Sequence, residues 1–146
     1  MRKKLNAFAQ AARSPSWLAF VWFGLTAGVS LLAAPLDFTA PASHPISLGV
    51  GEVVHGALNQ VELALLIAML VLIRMSSNTT QYWPHAALLV LIMIAQSAWL
   101  LPELIARSAS APGGAEPASF LHTAFAVSEL LKLATLVALG FQARAR

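Results

Sequence analysis

Four apolar blocks dominate this chain: Trp17–Pro35, Gly51–Ile73, Trp83–Leu101 and Ala118–Phe141. Each approaches the roughly 20 residues a helix needs to cross about 30 Å of hydrocarbon. Between them lie only short polar stretches, so no room remains for a soluble domain. The sequence therefore predicts an all-α integral membrane domain over 1–146, a bundle of four transmembrane helices. Composition agrees. Of the 146 residues 58% are hydrophobic and only 10% are charged, against roughly 25% charged in a soluble domain.

The basic residues set the expected orientation. Arg2, Lys3, Lys4 and Arg13 precede the first block, Arg74 follows the second, and Arg144 and Arg146 follow the fourth, while Arg107 alone falls on the other side. This asymmetry predicts both termini in the cytoplasm by the positive-inside rule. The pI of about 10.0 thus reads as a topology signal and not as nucleic-acid binding. Trp17, Tyr82 and Trp83 are expected at the cytoplasmic headgroup level, and Arg2–Ser14 as a basic segment lying on the anionic leaflet. The stretches Leu36–Val50 and Glu103–Pro117, rich in Pro, Ala, Ser and Gly, are expected to be irregular outer caps. Gly24 and Gly28 have the spacing that permits close helix–helix approach.

A shift of 67 residues aligns the chain with itself. Ser30 meets Ser97, Pro35 meets Pro102, Pro45 meets Pro112, His55 meets His122 and Glu62 meets Glu129. Pro and His matches carry weight because the chain has only eight and four of these. The expected architecture is two similar helical hairpins in the same orientation, related by an axis along the membrane normal.

The repeat ends on ionisable residues at membrane depth, where they are costly and therefore informative. At about 100° per residue, Glu52, His55, Asn59 and Glu62 share one face of the second span. His122, Glu129 and Lys132 share one face of the fourth by the same geometry. Both stripes are expected to turn into the bundle, with Glu62 and Glu129 near mid-membrane and the histidines about 10 Å nearer the outer surface. One lysine cannot neutralise two carboxylates, so one glutamate is expected to hold a proton.

Several chemistries fit these residues. His55 and His122 could ligate a haem iron or a metal ion, with carboxylate help. The histidines and glutamates could relay protons from the outer face, with Lys132 as counter-ion. Alternatively, the stripe is helix-packing glue in an accessory or assembly subunit of a membrane complex, or in a homo-oligomer. The absence of cysteine and of any methionine cluster disfavours copper handling. No P-loop, nucleophile elbow, dinucleotide fingerprint or HExxH is present, so no catalytic residue is assigned.

The segment from Gly28-Val-Ser-Leu-Leu-Ala-Ala-Pro35 through Leu58-Asn59-Gln-Val-Glu62, and that from Leu121-His122 through Ser128-Glu129-Leu-Leu-Lys132, resemble a group of small four-span bacterial integral membrane proteins classed as a domain of unknown function. The resemblance implies a four-helix fold and an inner-membrane home. A more distant likeness is to copper-resistance D-like and haem-synthesis membrane proteins, which use four-helix units with intramembrane histidines. Their haem-binding members carry a His in the first span, where this chain has none.

Overall fold

The computed structural model describes residues 14–39, 45–76, 79–110 and 120–144, excepting the side chains of 31–39, 45–52, 108–110 and 143–144. Among them the chain is helical. Helix α1 spans Pro15–Thr39 and α2 spans Pro45–Met75. Helix α3, Thr79–Ala95, runs through a five-residue π segment, Gln96–Leu100, into α4, Leu101–Ser110. Helix α5 spans Phe120–Arg144. Three stretches are long and apolar enough to cross a membrane: Val53–Met75, Thr79–Arg107 and Phe120–Gln142. The protein is thus a helical membrane protein.

Local chemistry explains the helix ends. At the start of α1, Ser14 Oγ accepts the Ser16 backbone N–H at 3.3 Å, and Pro15 occupies the first helical position, where its missing N–H costs nothing. Between α2 and α3, the Thr79 hydroxyl donates to the carbonyls of Ile73 and Ser76 at 3.0 and 2.8 Å. Those bonds satisfy carbonyls that the end of α2 leaves without helical partners.

Helices run further than the sequence predicts. Pro35 and Pro102 do not end their spans, and much of 36–50 and 103–117 is helical: α1 reaches Thr39, α2 begins at Pro45, and α4 reaches Ser110. A membrane helix tolerates proline where neighbours or local π adjustment re-satisfy the backbone. That adjustment is visible at Pro102. Its ring would crowd the carbonyl four residues back, and the π segment ends at Leu100, with the intervening Leu101 N–H bonded to the Gln96 carbonyl. Residues 1–13 and 111–119 lie outside the described residues, and with them the basic N-terminal segment.

The rods pack in a ring: α1 against α2 and α5, α3 against α2 and α5. Toward the end that carries the N-terminus of α1, the interior is apolar, built from Leu18, Ala19, Trp22, Leu66, Met69, Ile73, Leu89, Met93, Leu136 and Leu139. Tyr82 is buried in this core, on the inward face of α3, whereas Trp17 and Trp83 are exposed on the outside of the bundle. Close approach occurs at Gly140, where a Cβ would lie 2.8 Å from Phe20. Among the described residues, nothing lies within 4 Å of a Cβ built at Gly24 or Gly28.

Candidate functional site

Above the apolar layer, all four rods contribute polar side chains to one network centred on Lys132. The lysine is fully buried, and Glu62 and Glu129 are 2% and 7% exposed. Lys132 Nζ donates to Glu62 Oε2 at 2.7 Å, Glu129 Oε1 at 2.6 Å and Gln96 Oε1 at 3.0 Å. An ammonium has three donors, so it is saturated. The ion pair with Glu129 stays on α5 at i, i+3, whereas the pair with Glu62 links α5 to α2.

Each carboxylate has further donors. Glu62 Oε1 accepts the Trp22 indole N–H at 3.1 Å and the Thr26 hydroxyl at 2.6 Å. Glu129 Oε1 also accepts from Gln96 Nε2 at 2.8 Å, and Oε2 accepts from the Ser30 hydroxyl at 3.1 Å. Gln96 Nε2 also donates to Ser128 Oγ at 2.8 Å, and Ser128 donates to the Phe125 carbonyl at 2.7 Å. Beside this core, Ser97 donates to Asn59 Oδ1 at 2.8 Å. Buried ions are tolerated only when their remaining lone pairs and protons are satisfied in this way.

The predicted residues therefore divide. Glu62, Glu129 and Lys132 form the centre, and Asn59 pairs with Ser97 beside it. His55 is half-buried with its ring edge-on to Phe125, centroids 6.0 Å apart, and His122 is exposed. Both lie toward the end of the bundle away from the apolar core. Glu52 belongs to α2, but its side chain falls outside the described residues. Among the described residues, no group of three or more His, Cys, Asp or Glu is placed to hold a metal ion.

Sequence reasoning missed Trp22, Thr26 and Gln96 as members of the network. Thr26 and Gln96 are polar residues in the middle of apolar spans, a signal that was there to read. Ser30 and Ser97 surfaced only as repeat matches. In the structure these two serines, 67 positions apart, each donate across to another helix, Ser30 on α1 to Glu129 on α5 and Ser97 in the π segment to Asn59 on α2. The likeness stops at the lysine, because Leu65 occupies the matching position in the first half.

Chemically, two carboxylates and one ammonium have a formal charge of −1 − 1 + 1 = −1. A single added proton makes the centre neutral. No family model, curated protein or solved structure matches this chain.

Proposed function

We propose that this chain is a small four-span inner-membrane protein, both termini cytoplasmic, whose Glu62–Lys132–Glu129 centre is a proton-coupled site. One observation carries this reading: a buried lysine shared by two buried carboxylates, one negative charge more than a structural pair would need. Burying charge in a bilayer is costly, and packing alone is served by a neutral pair. Two similar hairpins carry the site, a reading supported by the crossed Ser30 and Ser97 bonds. The half-buried polar groups Ser30, Asn59, Ser97 and Ser128 lie between the centre and the histidine end. That end faces the periplasm in this orientation.

A second reading has its own support. Saturation of all three lysine donors, with partners on three helices, is what packing glue in an accessory subunit would show. Stability separates the two. In Glu129→Gln a neutral Glu62–Lys132 pair remains. The proton-site reading expects its melting midpoint in detergent to match or exceed wild type; the packing reading expects a clear drop.

A haem or metal version would rest on His55 and His122. It has less support, since a shielded bis-imidazole site needs both rings in the interior and His122 is exposed. A Soret band or stoichiometric metal in purified protein, lost in His55→Ala, would favour it.

A further inference from the structure

Resting on the proton-binding reading, we propose that the proton resides on Glu129 Oε2, with Ser30 as its acceptor. Glu62 is then the permanent counter-ion of Lys132. The donor inventory around the two carboxylates makes the distinction. Glu62 Oε1 accepts from the Trp22 N–H, a group with no lone pair to offer in return, and from Thr26 at 2.6 Å, the length of a charge-assisted bond. Oε2 faces the ammonium. A proton on either oxygen of Glu62 meets a donor-only group or weakens the acceptor that such a group needs.

Glu129 differs at one atom. Its Oε1 accepts from Lys132 and Gln96, but among the described residues Oε2 has only the Ser30 hydroxyl, at 3.1 Å. That is long for an O–H···O bond. A hydroxyl both donates and accepts, so this bond reverses without loss: Oε2–H donates to Ser30 Oγ while Oε1 remains the carbonyl acceptor. The freed Ser30 O–H turns to a carbonyl of its own helix, the back-bond that Ser128 and Thr135 already make in α5. The proton comes from hydronium in the surrounding water: its O–H bond breaks, a water molecule is left, and one O–H bond forms on Oε2.

The groups facing Glu129 are consistent with this assignment. Lys132 on its own helix is the adjacent cation, and Glu62 on α2 is reached through that lysine. Helix α1 offers the uncharged Ser30 and the π segment the uncharged Gln96. His55, on α2, packs on Phe125, one turn from Glu129.

Infrared difference spectroscopy of the full chain in lipid, following the carboxylic C=O stretch as pH is lowered, tests the assignment. Among the bands of the six acidic side chains, wild type should show one protonated-carboxyl band that Glu129→Gln lacks. Ser30→Ala should shift that band upward because its acceptor is lost, and Thr26→Val should leave it in place. Both variants delete one hydroxyl and keep the ion pairs, and size-exclusion elution checks their fold. A band that shifts in Thr26→Val, or in neither variant, overturns the Glu129 assignment and leaves a proton on the centre. Absence of the band in wild type overturns the proton-binding reading itself.

Discussion

Lys132 Nζ and Glu62 Oε2 lie 2.7 Å apart, joining α5 to α2 inside the bundle with the lysine fully buried. Removing either partner strands the other charge, which for a buried pair costs about 3–5 kcal/mol. Lys132→Met should therefore lower stability by that order, since it leaves two carboxylates side by side. Adding Glu62→Gln and Glu129→Gln to the same chain should recover most of the loss. Thermal unfolding in detergent, followed by circular dichroism, measures both.

The π segment holds Gln96 where it serves Lys132, Glu129 and Ser128 at once. Pro102→Ala restores the missing N–H and removes the crowding that the segment relieves. A return to α geometry would turn Gln96 away from the lysine. Gln96→Ala and Pro102→Ala should each cost about 1–2 kcal/mol, the scale of an interhelical hydrogen bond in a membrane. Their effects should not add, because both act through the same contact. Full additivity in a double-mutant cycle would contradict this coupling.

Gly140 and Phe20 set the closest approach of α1 and α5, beside the Phe20–Phe141 edge contact at 5.4 Å and the Ser16 bond to the Gly140 carbonyl at 2.8 Å. Gly140→Ala adds helix propensity of about 1 kcal/mol but overpacks by about 1–3 kcal/mol. The net effect in the native background should be destabilising. With Phe20→Leu the ring is gone, and the same substitution should become neutral or stabilising. A change of sign in unfolding free energy is the readout.

The chain has no cysteine, so single thiols report water access without interference. Ser97→Cys, at a half-buried position beside Asn59, should react with a hydrophilic thiol reagent. Met93→Cys, fully buried in the apolar layer, should not. Equal reaction at both positions would mean that water reaches beyond the charged centre and that the apolar layer does not seal it.

The helical membrane character was legible because apolar length and scarce charge are properties of the sequence itself. The stripes containing Glu62, Glu129 and Lys132 were legible because helical periodicity places them on single faces, and buried charge has to turn inward. Periodicity does not say which partner helix supplies a donor. Trp22 and Thr26 on α1 and Gln96 in the π segment carry no charge, so their convergence on the carboxylates appears only once the rods are packed. The helix ends were misjudged at Pro35 and Pro102 because proline was read as a stop. Both helices continue past the proline, and at Pro102 a π turn precedes the ring. His122 shares a helical face with Glu129 yet is exposed, since a stripe that is buried at mid-helix reaches the surface near the end of the bundle.

The central claim is a formal charge of −1 that one proton neutralises, and counting protons tests it directly. Purified chain is titrated from alkaline to acid, and the wild-type curve is compared with those of Glu129→Gln and Glu62→Gln. The predicted result is one extra proton taken up per wild-type chain relative to either variant. Superimposable curves would contradict the account and leave the cluster as packing.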